Sequence, residues 1–178
     1  MAPSDTLPTT GPQILAALQE TRRRTLALVA DLDDDQLMGR QLDIVNPLLW
    51  EIGHVAWFQE RWTRRQLRGL PSLEEQADAL YDSMAVAHDK RWDLPLFTRS
   101  ATLTYMQRVL DDVAENLEGE PSADEIYFHR LALFHEDMHG EAFAYTRQTH
   151  AYPPPRPDVY GPAVEAPEGE VLDGDVEI

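Results

Sequence analysis

Hydrophobic residues recur at helical spacing in four separate segments of the chain. In the first, residues 12 to about 32, apolar side chains three or four positions apart alternate with mostly charged ones: Ile14, Leu15, Leu18, Leu28, Val29 and Leu32. This pattern predicts an amphipathic helix. A second helix is predicted from Asn46 and Pro47, a favoured cap followed by a favoured first helical residue, to about Arg68, before Gly69 and Pro71.

The third and fourth segments have equally clear boundaries. The third runs from about residue 99 to 117, and Gly119 and Pro121 follow it. The fourth opens with Ser122-Ala123-Asp124-Glu125, a capping-box pattern, and continues to about Thr149. Four long helices without a strand pattern predict an all-α four-helix bundle, in which cofactor and metal sites are built from side chains on facing helices.

The rest of the chain divides into two ends and one connection. Residues 1–11 contain proline, glycine and small polar residues typical of a flexible N-terminus, and residues 12–150 form the predicted bundle. The connection from about 70 to 98 is long for a bundle, so we expect it to be functional or partly ordered into short helices. Residues 151–178 combine prolines with acidic residues and are interpreted as a C-terminal linker.

Composition narrows the function classes. With 43% hydrophobic and 26% charged residues, the 178-residue chain is typical of one globular domain. It has neither an apolar run of about 18 residues nor a leader pattern, so we expect a cytoplasmic protein without membrane contact. The net charge of -17 argues against nucleic-acid binding. We interpret Arg22-Arg23-Arg24 and Arg64-Arg65 as solvated helix faces, and Asp33-Asp34-Asp35 as a helix-to-helix turn.

Three histidines are candidate metal ligands. The chain has no cysteine, so a transition metal would be held by His, Asp or Glu. His135 and His139 lie four residues apart and therefore on one helix face. His54, among aromatic residues on another helix, is the candidate third ligand, and Gly53 could permit close helix approach. Three imidazoles suit Fe(II), Ni(II), Cu(II) or Zn(II) and leave positions open for substrate or oxygen. The alternative is that they are hydrogen-bonded bundle residues without a metal.

Other polar and aromatic residues receive less specific interpretations. We expect His88, His129 and His150 to be structural or exposed. Five acidic residues could orient a ligand imidazole, although most are expected to face solvent or pair with arginine: Glu51, Glu60, Glu136, Asp137 and Glu141. Trp50, Trp57 and Trp62 are expected in the core or at an interface.

Two motifs carry a resemblance to a known family. They are the stretch from residue 46 to 60, NPLLWEIGHVAWFQE, and the stretch His135-Glu136-Asp137-Met138-His139. In composition and order they resemble the DinB-like N-terminal domain of ergothioneine-type sulfoxide synthases, which are non-haem iron enzymes. The resemblance covers about residues 12–150. Residues 169–178 look like the approach to the second domain of that family, which is similar to the formylglycine-generating enzyme.

The resemblance implies Fe(II) bound by His54, His135 and His139, with O2 and a sulfur donor at the open positions. The implied reaction joins sulfur to the imidazole C2 carbon of trimethylhistidine (hercynine). It also implies a C-terminal catalytic domain that completes the pocket, so this chain should bind metal more readily than it turns over substrate. Two alternatives remain open: a stand-alone DinB-like thiol transferase that uses Zn or Ni, and a metal-free helical interaction bundle.

Two positions bear on the substrates. The family often has glutamine just before the last histidine, where it contacts the histidine-derived substrate, whereas this chain has Met138. Met138 is therefore a candidate substrate-binding residue. The connection from residue 80 to 95 looks more like that of the relatives that form selenoneine, in which a selenosugar replaces the thiol donor. This likeness favours a carbon–selenium product.

Overall fold

The computed structural model describes residues 7–117 and 120–155. Six α-helices occur in these residues: α1 Gly11–Val29, α2 Asp34–Met38, α3 Leu48–Glu60, α4 Ala77–Tyr81, α5 Arg99–Asn116 and α6 Ala123–Thr149. A π-helical segment, Arg61–Gln66, continues α3, and a 3-10 turn spans His88–Lys90. No strand is present in the described ranges. The predicted all-α class and its four long helices are confirmed. The predicted linker lies mostly outside the described residues.

Local sequence explains where the long helices begin. Thr10 and Ser122 each cap a helix with a reciprocal capping box, to Gln13 in α1 and to Glu125 in α6. The box predicted for α6 is confirmed. The cap predicted for α3 is wrong, because Pro47 precedes the first helical residue and makes no side-chain cap. The Asn46 amide instead donates a hydrogen bond to a carboxylate oxygen of Glu51.

The predicted turn of three aspartates contains a helix of its own. Asp33 caps α2 by accepting a hydrogen bond from the Gln36 N–H, and Asp34 and Asp35 form the first turn of that helix. Acidic residues are favourable there because the N-terminal end of a helix carries partial positive charge. The connection between α1 and α3 is therefore a short helix rather than a simple turn.

Side-chain contacts at both ends show that α1 and α6 run parallel. Arg130, near the start of α6, donates to the Pro8 carbonyl just before α1. Arg147, near the end of α6, pairs with Asp31 just after α1. By the same reasoning α3 and α5 are parallel, because Glu60 contacts Tyr105 and Arg64 contacts Asp112.

This topology accounts for the long connection between α3 and α5. When two successive long helices are parallel, the chain between them must return along the bundle. Successive parallel strands need a crossover connection for the same reason. Here that segment contains α4, which packs on α3 through the buried residues Leu80 and Tyr81. The sequence-based expectation of short helices in this connection is confirmed.

Arg22 joins all four long helices. Its guanidinium, on α1, makes two hydrogen bonds of 2.8 and 3.0 Å to Glu136 on α6. It also donates to Gln59 on α3 at 2.8 Å and to the Met106 carbonyl on α5 at 2.7 Å. The side chains of Arg22 and Glu136 are only 4% and 2% exposed. The prediction that Arg22 lies on a solvated face is therefore wrong, whereas Arg23 is half exposed as predicted.

The hydrophobic core extends along the bundle in two clusters. The larger one packs α1, α3, α4 and α5 around Trp50, Ile52 and Tyr81. The smaller one joins the first half of α1 to the last half of α5 through Ile14, Leu18, Leu110, Val113 and Leu117, with Leu133 of α6. No helix within the described residues is long and apolar enough to cross a membrane.

Candidate metal centre

The antiparallel helices α3 and α6 bring the three predicted histidines together. The ring centroid of His54 lies 5.0 Å from that of His135 and 5.0 Å from that of His139. The two rings on α6 are 4.5 Å apart. One ring nitrogen from each histidine lies within 4.8 Å of the other two. A cluster of this size could hold one metal ion.

His54 is fixed by its neighbours on three sides. It stacks on Trp50 with ring centroids 4.7 Å apart and on Trp57 with centroids 5.7 Å apart. Its Nδ1 lies 2.8 Å from the Tyr81 carbonyl oxygen. Because a carbonyl only accepts hydrogen bonds, Nδ1 carries the proton and Nε2 is the nitrogen left to bind a metal.

Gly53 allows the Tyr81 carbonyl to reach His54. A Cβ atom at position 53 would lie 2.2 Å from Cε1 of the Tyr81 ring. Any residue larger than glycine at position 53 would therefore require Tyr81 and α4 to move. The close approach anticipated at Gly53 is present, and its partner is α4.

His135 and His54 are kept neutral by their surroundings. Phe58 stacks on His135 with ring centroids 3.6 Å apart and planes 4° apart. Burial, followed by repulsion from the other histidines of the cluster, lowers the pKa of His135 to about 2. Burial and then His139 lower the pKa of His54 to about 4. Both rings are therefore neutral near pH 7, the state in which imidazole binds metals.

Glu51 lies behind His139. Its Oε2 is 3.6 Å from Nδ1 of His139, slightly beyond hydrogen-bond range. Its Oε1 accepts a 2.8 Å hydrogen bond from Asn46. Glu51 and Glu60 are each 1% exposed, so the expectation that such residues face solvent or pair with arginine is wrong for these two, whereas the buried Glu136 pairs with Arg22 as anticipated. Asp137 pairs with Arg24 as anticipated, and Glu141 is exposed.

A groove of about 260 Å³ leads to His54 and His135. Trp57, Phe58 and Trp62 form its aromatic wall. Residues 82–84, which follow α4 in the long connection, also line the groove. Trp50 and Trp57 are in the core as predicted, and Trp57 and the partly buried Trp62 line this groove. A small molecule could thus reach two of the three histidines.

The remaining candidate residues lie away from the cluster. Met138 is 57% exposed on α6 and does not line the groove, so its role in substrate binding stays a prediction. His129 is buried and pairs with the Glu125 carbonyl. His88 contacts the Val45 carbonyl, and His150 stacks on Tyr152. These three histidines have structural partners, in agreement with the sequence interpretation.

Some supporting residues had no usable signal in the sequence. The Tyr81 carbonyl belongs to the backbone, which no side-chain pattern reports. Asn46 looked like a helix cap, and only the fold shows that it contacts Glu51. Arg91 lies in the long connection without helical periodicity, yet its guanidinium is 3.9 Å from the ring centroid of Trp50.

The fold and the site define an all-α bundle with a candidate three-histidine metal centre between two antiparallel helices. The chain belongs to the DinB superfamily, whose family model matches residues 17–143. All three histidines lie within the matched region.

Three similar proteins are named hercynine oxygenase. The protein from Mycolicibacterium smegmatis is 29% identical over 167 residues, which cover 86% of this chain and 38% of the relative. The protein from Mycobacterium tuberculosis is 30% identical over 135 residues, which cover 74% and 32%. The protein from Mycolicibacterium thermoresistibile is 27% identical over 164 residues, which cover 85% and 36%. The chain spans about a third of the length of these relatives.

Proposed function

We propose that this chain is the metal-binding domain of an O2-dependent non-haem Fe(II) enzyme. The enzyme would form a carbon–sulfur or carbon–selenium bond at the imidazole C2 of hercynine. The observation that carries the proposal is the cluster of His54, His135 and His139, found in a chain similar to proteins named hercynine oxygenase. Fe(II) bound there would supply the capacity to activate O2.

The donor set fits Fe(II). Neutral imidazoles suit iron, and three protein ligands leave positions for an oxidant and substrates. The burial that lowers the pKa of His54 and His135 favours neutral rings, so little proton competition is expected at neutral pH. The Tyr81 carbonyl sets the tautomer of His54 in the way that outer partners of metal-bound histidines commonly do.

The groove supports the substrate side of the proposal. Its aromatic wall can exclude water and offer ring faces, which attract quaternary ammonium groups such as that of hercynine. Residues 82–84, which also line the groove, belong to the connection that resembles selenoneine-forming relatives. We therefore propose that a sulfur or selenium donor contacts this connection.

An exposed apolar stripe on α6 supports the presence of a second domain in the functional enzyme. Tyr127, Phe134, Met138 and Tyr145 are 44% to 61% exposed and follow one another at intervals of seven, four and seven residues, so they share a helix face. Several large apolar side chains exposed on one helix face often mark an interface. We propose that a C-terminal catalytic domain covers this stripe, which would also place Met138 near substrate.

Anaerobic Fe(II) titration with and without hercynine tests the proposal. We expect one Fe(II) per wild-type chain and greatly weakened binding in the His135→Ala, His139→Ala double variant. His150→Ala, at the end of the same helix, serves as the control and should bind Fe(II) normally. Equal Fe(II) binding by wild type and double variant would disprove the site. Preference for Zn(II) without any effect of hercynine would favour a thiol transferase instead.

A further inference from the structure

Several buried polar atoms at the metal cluster lack hydrogen-bond partners among the described residues, and they include one atom of Glu51 and one of His139. Oε2 of Glu51 and Nδ1 of His139 have none among the described residues, and each is fully shielded from solvent. Leaving a buried polar atom unpaired is destabilising, and more so when the group is charged. Such pairs call for an explanation, and here the two atoms face each other at 3.6 Å.

The chemistry of the two atoms is complementary. A carboxylate oxygen only accepts hydrogen bonds, and an imidazole Nδ1 that carries its proton donates one. If Glu51 accepts from Nδ1 of His139, the free ring nitrogen of His139 is Nε2, as it is for His54. A ring shift of less than 1 Å would bring the two atoms into hydrogen-bond range.

Glu51 is held in place from its other side. Its Oε1 accepts from Nδ2 of Asn46 at 2.8 Å, and Oδ1 of Asn46 accepts from Nη1 of Arg91 at 2.6 Å. The Arg91 guanidinium in turn lies 3.9 Å from the ring centroid of Trp50, which stacks on His54. This chain of contacts connects the surroundings of two ligands that come from different helices.

We propose that Glu51 is a positioning residue whose carboxylate accepts a hydrogen bond from the Nδ1–H of His139 when a metal is bound, and that Asn46 and Arg91 hold Glu51 in place. The inference rests on the proposed metal site and concerns how that site is built. Carboxylate partners of metal-bound histidines fix the tautomer and raise the basicity of the ring. Glu51 fixes the tautomer of His139 in this way, as the Tyr81 carbonyl fixes that of His54.

The test compares two isosteric variants by anaerobic Co(II) and Fe(II) titration. Glu51→Gln keeps the shape but removes the charged acceptor, so we expect metal affinity to fall about 10- to 100-fold. Glu60→Gln is the matched control, because Glu60 is equally buried on α3 but contacts Tyr105 and the Leu73 N–H instead of a ligand. Its metal affinity should match that of wild type even if its stability falls.

A spectroscopic measurement separates positioning from a general structural effect. In the Co(II) protein, proton NMR follows the exchangeable ring N–H signals of the ligand histidines. The His139 signal should exchange faster in Glu51→Gln, whereas the His54 signal, protected by Tyr81, should not change. If Glu51→Gln fails to fold, Asn46→Ala, which releases Glu51, should show the same change in a smaller degree.

The outcomes for this inference and for the proposed function are distinct. Wild type that binds neither Co(II) nor Fe(II) overturns both. Wild type that binds metal, with unchanged affinity and exchange in Glu51→Gln, overturns only the role of Glu51. Equal losses in Glu51→Gln and Glu60→Gln also overturn it, because the effect would then follow from any buried charge on α3. A loss confined to Glu51→Gln, with faster His139 exchange, supports it.

Discussion

Two glycines within the long helices have opposite surroundings. A Cβ atom at Gly53 would lie 2.2 Å from the Tyr81 ring, whereas a Cβ at Gly140 would have no neighbouring atom within 4 Å. Overpacking typically costs about 1–3 kcal/mol. Removing an unconstrained helical glycine typically gains about 0.5–1 kcal/mol.

We therefore expect Gly53→Ala to destabilise the protein by at least about 1–3 kcal/mol and Gly140→Ala to stabilise it slightly. Urea unfolding of both variants measures the difference. Because Tyr81 must move in Gly53→Ala, the contact of its carbonyl with His54 should also weaken. Equal stability of the two variants would show that α4 does not press on α3 at this point.

The buried histidines predict a pH dependence for the metal-free protein. The pKa of His54 in the folded state is about 4 and that of His135 about 2, both below the ordinary value of 6.5. Between pH 6.5 and these lower values, the unfolded chain therefore binds more protons than the folded protein does. The free energy of unfolding consequently falls as pH decreases through about 6.5. Stability is fully present above this pH. Between about pH 7 and 5, each histidine should contribute a loss of about 2 kcal/mol.

Urea unfolding in the presence of a chelator, at several pH values, measures this slope. His54→Gln lacks one titrating imidazole and should show a shallower slope over the same range. A flat profile for wild type between about pH 7 and 5 would mean that the cluster accepts protons without loss of the folded state.

At the residue level, the sequence predicted the proximity of side chains on one helix face better than the proximity of side chains that the tertiary fold brings together. His135 and His139 follow from their spacing alone, because four residues make about one helical turn. Choosing His54 required its aromatic neighbours and the family resemblance. The position of Glu51 behind His139 depends on the packing of α3 against α6, which spacing along one helix does not report.

The long helices are connected at their centre by one buried ion pair. Arg22 of α1 and Glu136 of α6 share two hydrogen bonds, and the same guanidinium contacts α3 and α5. Removal of one partner leaves a buried charge uncompensated, which typically costs about 3–5 kcal/mol. The neighbouring residue Arg23 pairs with Glu20 at the surface, where an ion pair is worth about 0–1 kcal/mol.

We expect Arg22→Met to lower the free energy of unfolding by about 3–5 kcal/mol and Arg23→Met to change it by less than about 1 kcal/mol. Chemical denaturation measures both. The double variant Arg22→Met, Glu136→Met should recover part of the loss, since it leaves no charge behind. Similar small effects of Arg22→Met and Arg23→Met would contradict the structural role assigned to Arg22.

At the level of elements, periodicity and caps were sufficient to locate the long helices. The amphipathic patterns and the Ser122 capping box predicted α1, α5 and α6 to within three residues. The same pattern was misleading for Arg22, because its polar neighbours Arg23 and Arg24 suggested a solvated face. An arginine that is buried through pairing looks like an exposed one until its carboxylate partner, more than a hundred residues away in the chain, is placed beside it.

For the whole molecule, the relative directions of the helices determine which histidines lie close enough together to bind one metal ion. Trp62 stacks on Phe128 near one end of the contact between α3 and α6, and His54 meets His139 near the other, so the two helices are antiparallel. The sequence predicted four helices but not which pairs are parallel. That arrangement depends on the path of the long connection, which has no periodic signal.

A metal bound to this cluster would link α3 to α6, because His54 lies on one helix and His135 and His139 lie on the other. A ligand that binds only the folded state stabilises it by about 2.7 kcal/mol at a hundredfold excess over its dissociation constant. For a domain of this size, that corresponds to a rise in Tm of about 5–10 °C. We expect this rise when Fe(II) is added anaerobically, and its reversal by a chelator. His54→Ala should not show it, because the remaining histidines both lie on α6 and cannot connect the two helices. A rise of the same size in His54→Ala would indicate that the metal binds elsewhere, for example to the many surface carboxylates, and that the three histidines do not form the site.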